Sequence, residues 1–132
     1  MSIDYTKPAQ YHYELAKELY ALRSKGVLIV GSGNMIHNLR MVAWDKLNGE
    51  PYAFDWATEA NDKMKDFILN DDFQRLIDYN KNGRAFQLSI PTPEHYLPLI
   101  YALGLKDKDD ETSLFNDQPV GGSLSMTSAK FA

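Results

Sequence analysis

The chain has 132 residues, a formal charge of −4, 44% hydrophobic and 24% charged residues and no cysteine, the balance of one globular domain with a sizeable core. The acidic balance and the lack of a Lys/Arg stripe argue against a nucleic-acid binder, and the missing thiols exclude disulfides, thiolate metal sites and cysteine nucleophiles. No apolar run approaches the ~20 residues of a membrane span, and residues 1–7 lack a signal-peptide core, so the expectation is a single domain over residues 1–132, cytoplasmic and away from membranes.

Ile3 and Tyr5 suggest a very short strand. Pro8 suits the first turn of a helix, and His12, Leu15, Ala16, Leu19 and Leu22 then recur at helical spacing, with Gly26 as the closing residue. Residues 27–30 are a continuous aliphatic run, the pattern of a strand buried on both faces. Strand–helix–strand in this order predicts parallel pairing. Asn48-Gly49-Glu50-Pro51 marks a turn, and Ala60, Met64, Phe67 and Ile68 carry a second helical stripe.

Asp72 is placed to cap a short helix with Phe73, Leu76 and Ile77, stopped by Asn80-Lys81-Asn82-Gly83. Residues 85–90 read as the next strand. Thr92 and Pro93 are the expected N-cap and first residue of a further helix through Leu97, Ile100, Tyr101 and Leu103, ended by Gly104. Pro98 conflicts with that helix and predicts a kink or a loosened first turn. Residues 106–111 form a charged, exposed loop, and residues 113–115 and 122–127 are the last strand candidates.

Two histidines therefore follow expected strands: His37 after Gly31-Ser32-Gly33-Asn34 and His95 after Pro91-Thr92-Pro93-Glu94. Ligands of open α/β sheets bind outside the carboxyl ends of strands, and imidazole serves there as metal ligand or as acid and base near neutral pH. His37 reads either as a site residue held over the sheet edge or as a partner of a loop carbonyl. His95 reads either as a ligand kept neutral by a helix N-terminus or as an ordinary first-turn residue. Gly31-x-Gly33 matches only the start of a dinucleotide fingerprint, because Ile36 stands where the third glycine belongs. His12, on an apolar stripe, reads as a core histidine with satisfied hydrogen bonds. Trp44 and Trp56 are either walls of an aromatic pocket or plain core.

The segments Ser2-Ile3-Asp4-Tyr5, Gly31-Ser32-Gly33-Asn34-Met35-Ile36-His37-Asn38-Leu39, Pro91-Thr92-Pro93-Glu94-His95-Tyr96-Leu97-Pro98-Leu99 and Gly122-Ser123-Leu124-Ser125-Met126 carry a further reading. Taken together and in order, they resemble the carboxyl-terminal half of class III extradiol ring-opening dioxygenases, the LigB-like superfamily, of the 4,5-DOPA type. The resemblance implies an α/β fold, a partial LigB-like (phosphorylase/hydrolase-like) sheet flanked by helices with a C-terminal β-hairpin. It implies ring opening of a small, DOPA-like catechol with O₂ at a non-haem Fe(II) or Zn(II) centre. His95 corresponds to a metal ligand, and His37 to the acid–base residue or an additional ligand. The family's other half carries two more metal-binding histidines, and His12 matches neither. The resemblance thus also implies a partner, either a homo-oligomer or a separate amino-terminal half. The alternative is a catalytically silent remnant, or a metal-binding, self-associating module that keeps the fold.

Overall fold

Proline has no N–H to leave unpaired at a helix start, and helix α1 (Ala9–Glu18) begins directly after Pro8, which occupies the N-cap position. Its buried stripe is Ala9, His12 and Ala16. The computed structural model describes residues 1–132. The chain leaves α1 through a 3₁₀ segment, Tyr20–Lys25, and Gly26 at φ 74° closes it, the left-handed conformation expected of that residue. Ile3 and Tyr5 form no strand: Asp4 turns the chain instead, accepting from the Thr6 N–H (3.1 Å) and hydroxyl (2.5 Å).

Residues 27–30 are not a strand either. A strand exists only through a neighbour's hydrogen bonds, and none is offered here. Leu28 and Val30 stand 86% and 75% exposed. The parallel sheet expected from this segment is therefore absent from the strand pairing.

Helix α2 (Asp55–Leu69) follows the expected stripe, burying Ala57, Ala60, Met64 and Ile68. Asp72 stands at the N-cap of α3 (Phe73–Ile77), but its carboxylate makes no capping bond. The expected strand over residues 85–90 is helical through Ser89: α4 (Arg84–Ser89) starts after Gly83 at φ 92°. Its buried residues Ala85 and Phe86 lie four and three positions before the buried Ser89, the spacing of a helix face. α4 packs along α2, where Phe86 meets Phe67 with ring centroids 6.1 Å apart.

Thr92 and Pro93 do not open the next helix. Helix α5 (Leu97–Leu105) starts with Tyr96 at the N-cap and Pro98 in its first turn. The conflict over Pro98 disappears, because a first-turn proline loses no intrahelical bond. Gly104 does not end the helix, which runs on to Leu105. It lets α1 approach: an added Cβ would lie 2.6 Å from the Tyr13 carbonyl oxygen and 2.7 Å from the Ala16 Cβ. The α1–α5 contact also seals His12, whose ring nitrogens meet the Tyr101 hydroxyl (3.0 Å) and the Asp4 carbonyl (3.1 Å). His12 is thus the satisfied core histidine its stripe predicts.

The C-terminal segment folds as two nested antiparallel ladders. The outer pairs β1 (Thr112–Phe115) with β4 (Ser128–Phe131), and the inner pairs β2 (Pro119–Val120) with β3 (Leu124–Ser125). The α/β class and the C-terminal hairpin hold, with five helices beside a small antiparallel sheet. Only Leu124 and Ser125 of the 122–127 candidate pair as a strand. The main core joins α2 to α5 around Tyr96, Phe86, Leu76 and Ile100, and takes Met35 and Ile36 from the loop before His37.

The 106–111 loop is less exposed than its charge suggests. Arg23 grips Asp110 in a fork, Nη1–Oδ2 2.5 Å and Nη2–Oδ1 2.7 Å, and also donates to the Leu105 carbonyl (2.7 Å). Hydrogen bonding to Arg23 holds the Asp110 carboxyl below its ordinary 3.8. The unfolded chain therefore binds the proton more readily in acid. The stabilisation is complete above about pH 4 and lost as pH falls through the lower, folded value. Asp110→Asn is expected to cost about 1–2 kcal/mol at pH 7, read from urea midpoints. The gap to the parent should shrink below pH 4.

Candidate metal and acid–base site

The loop of residues 31–38 is fixed by hydrogen bonds to two other segments. The His37 N–H donates to the Ser89 carbonyl (3.0 Å), the Asn38 N–H to the Ser123 carbonyl (3.0 Å) and the Asn34 N–H to the His95 carbonyl (2.8 Å). The Asn38 side chain donates to the Leu88 carbonyl (2.7 Å), that of Asn34 to the Ser125 carbonyl (3.0 Å), and the Ser123 hydroxyl to the Asn38 carbonyl (2.8 Å). The glycines bring the loop against the chain around His95: a Cβ on Gly33 would stand 2.1 Å from the His95 carbonyl oxygen, and one on Gly31 2.6 Å from that of Pro98. They serve this close approach between two stretches of backbone.

Both histidines reach one place by this route. Their rings meet edge to face, centroids 5.2 Å apart. Neither follows a strand, since residues 27–30 are unpaired and residues 84–89 are helical. His95 sits in the turn before α5, not in its first turn.

The two rings have opposite surroundings. His37 is 4% exposed, with Nδ1 3.1 Å from the Asn34 carbonyl and Nε2 2.9 Å from that of Thr92. Burial pushes its pKa below the ordinary 6.5, against the pull of the Thr92 carbonyl, and His95 adds to the depression. A neutral imidazole has one N–H and so donates to only one of those carbonyls. His95 is exposed and its ring nitrogens make no hydrogen bonds. Beside it, the Glu94 carboxyl accepts from the Thr92 hydroxyl (2.7 Å), which lowers its pKa.

The sequence offers no sign that the Thr92 and Asn34 carbonyls are the partners of His37, because any residue type supplies a carbonyl. Asn34 and Asn38, polar groups flanking an apolar Met-Ile pair, were the available signal for a pinned loop. Trp44 is 72% exposed, and Trp56 stacks on Phe54 at 5.9 Å; neither borders the large groove that His95 faces.

A metal centre fits these residues only in part. No cluster of three or more His, Asp or Glu side chains is placed to hold an ion, whereas catalytic centres usually have three protein ligands. His95 alone has free ring nitrogens. The donor set within this chain does not complete a centre.

No family model matches the chain. It is 39% identical over 133 residues to the 4,5-DOPA dioxygenase extradiol of Escherichia coli (strain K12), covering 98% of this chain and 48% of that protein. It is 30% identical over 125 residues to the protein of the same name from Beta vulgaris, covering 92% of this chain and 44% of that one. The crystal structure of an uncharacterized protein from Escherichia coli K12 superposes with a TM-score of 0.83 at 39% identity, over 97% of this chain and 52% of that chain. The chain is thus a relative of the extradiol ring-opening dioxygenases of LigB-like type. More particularly, it is similar to proteins named 4,5-DOPA dioxygenase extradiol, and the match is consistent with their carboxyl-terminal half. The chain spans about half the length of the curated relatives it matches.

Proposed function

We propose that this chain forms the part of an extradiol ring-opening dioxygenase that presents His37 and His95 to a catechol-type, DOPA-like substrate and O₂. The supporting observation is the meeting of two histidines from distant segments, one sealed and neutral, one open with free ring nitrogens. His95 is the metal ligand of this reading, for Fe(II) or Zn(II), and the other ligands come from outside this chain. A metal in such a centre would orient the catechol oxygens beside O₂.

His37 is the acid–base residue. The nitrogen that carries the lone pair in its neutral ring takes the proton from the catechol hydroxyl, and for that the ring turns off the carbonyl it faces, that of Asn34 or Thr92 (3.1 and 2.9 Å), toward the substrate. Burial opposes the cation and keeps the transfer reversible, as return of the proton requires.

The test is metal content, by elemental analysis after anaerobic loading, of the untagged chain co-purified with the portion of the Escherichia coli relative that it does not span. His95→Ala is expected to reduce bound metal at least tenfold while leaving the thermal midpoint within a degree or two, since the side chain is exposed. Equal metal in the variant removes His95 from the site. The purified chain alone is expected not to cleave DOPA; metal-dependent yellow product from it would overturn that expectation. The second reading, a silent module that keeps the fold, is favoured by the incomplete donor set. It predicts no retained metal in the parent protein either.

A further inference from the structure

Two of the eight asparagines precede glycine, Asn48 before Gly49 and Asn82 before Gly83. Asparagine is a chemically labile residue, and glycine, with no Cβ, leaves its own nitrogen open to the preceding amide. The fold treats the two pairs oppositely. Asn82 is clamped: its N–H donates to the Tyr79 carbonyl (3.2 Å) and its side-chain amide to the Arg75 carbonyl (2.7 Å). Gly83 follows at φ 92°, and its carbonyl accepts from the Gln87 N–H in the first turn of α4. Asn48 and Gly49 lie exposed in a turn, and neither enters a hydrogen bond of standard geometry. Gly49 has open space around it: an added Cβ would meet nothing nearer than the Lys46 carbonyl oxygen at 4.0 Å. The segment is tied to the C-terminal hairpin on both sides of this turn. The Ala43 N–H donates to the Gly121 carbonyl (2.8 Å), the Phe54 N–H to the Gly122 carbonyl (2.8 Å) and the Gly122 N–H to the Tyr52 carbonyl (2.9 Å).

We propose that Asn48 is a self-modification site: in the folded protein it closes to a cyclic imide and reopens as aspartate or isoaspartate, while Asn82 is spared and the change stays within the turn. The Gly49 nitrogen gives up its proton to base and bonds to the Asn48 Cγ. The Cγ–Nδ2 bond breaks, and Nδ2 leaves as ammonia, which carries the proton away. Water then adds at either imide carbonyl and breaks its bond to the Gly49 nitrogen. Opening at Cγ gives aspartate; opening at the backbone carbonyl gives isoaspartate. Water is the only co-reactant, and nothing is oxidised or reduced. Ring closure needs rotation about the backbone and side chain of the asparagine. At Asn48 no hydrogen bond resists it, whereas Asn82 reacts only from a locally opened state with both of its bonds broken. The product adds a negative charge to a turn that already holds Asp45 and Glu50, with Lys46 the only cation between residues 41 and 54. Isoaspartate also lengthens the backbone, and the bonds of Ala43 and Phe54 to the hairpin confine that slack.

The experiment ages the purified chain in warm, mildly alkaline buffer and digests it in acid, where new imide forms slowly. Mass spectrometry of the peptides follows each asparagine, with electron-transfer fragmentation separating isoaspartate from aspartate. Expected is a reaction at Asn48 at least tenfold faster than at Asn82, giving both products. In urea the two rates are expected to converge, since the clamp on Asn82 belongs to the fold. Gly49→Ala is expected to slow the reaction at Asn48 at least tenfold. Gly49 is not among the glycines at positive φ, and the methyl enters open space, so the circular dichroism of the variant should match the parent. The more acidic form, isolated by anion exchange, is expected to keep the circular dichroism and urea midpoint of the parent. An Asn48 no faster than Asn82 in the folded chain, a preference that survives urea, or a rate indifferent to Gly49→Ala overturns the inference. Loss of folded structure in the acidic form also overturns it, by carrying the change beyond the turn.

Discussion

Gly33→Ala is expected to destabilise the protein by about 3 kcal/mol, combining an overpacking cost with the loss of one backbone hydrogen bond. The reason is geometric. The new methyl would lie 2.1 Å from the His95 carbonyl oxygen, 3.0 Å from its carbon and 3.1 Å from the Pro98 Cγ. Two of those atoms are backbone and cannot swing away as a side chain would. Relief requires the loop and the His95 turn to separate, which breaks the Asn34 N–H bond to the His95 carbonyl. The same separation pulls the two imidazoles apart from their 5.2 Å contact. The measurements are the urea midpoint and the proton–proton NOE between the two rings. A lower midpoint with the NOE lost is the expected result; an unchanged midpoint would show that the approach at Gly33 is looser than described.

Phe86→Ala is expected to cost about 3–5 kcal/mol, the range for deleting a fully buried aromatic side chain. Domains of this size have about 5–15 kcal/mol in all, so the variant stands near unfolding at ordinary temperatures. Phe86 is 0% exposed and joins α4 to α2 through Phe67. The companion substitution Gln87→Ala, on the exposed side of α4, is expected to stay within about 0.5 kcal/mol. Urea unfolding of both checks the helical assignment. If residues 85–90 alternated as a strand, Leu88 would share the face of Phe86; here Ser89 does, and Leu88→Ala should cost far less.

That segment shows what pattern alone resolves. Residues 85–90 are a short, mostly apolar run, and such runs do not distinguish strand from helix by periodicity. The decision comes from the neighbour, α2, which packs along this segment and meets Phe86 through Phe67. α1 and α2 were legible because their stripes continue for several turns. The start of α5 was misplaced because two prolines compete for it. Pro93 has a good cap before it, but only Pro98 leaves the following turn free to form.

Gly104 carries the signature of a helix end, yet its role is the approach of α1, a fact about a segment far away in sequence. The site was legible in the identity of its histidines and in the shared order of the motifs around them. Their unequal states were not, because burial and carbonyl partners arise from tertiary contacts between residues 34, 37 and 92.

The union of α1 with α5 bears on how the chain emerges during synthesis. His12 and Tyr101 are separated by 89 positions, so the apolar stripe of α1 lacks the helix that covers most of it until α5 has been made. At translation rates of about 5–20 residues per second, that leaves the stripe mostly bare for roughly 4–18 s. Helices of this length are marginal in isolation, so α1 spends the interval as a fluctuating hydrophobic segment near the ribosome. Its burial is a late event in biogenesis, and the nascent chain is most vulnerable to chaperones, proteases and neighbouring polypeptides just before α5 arrives.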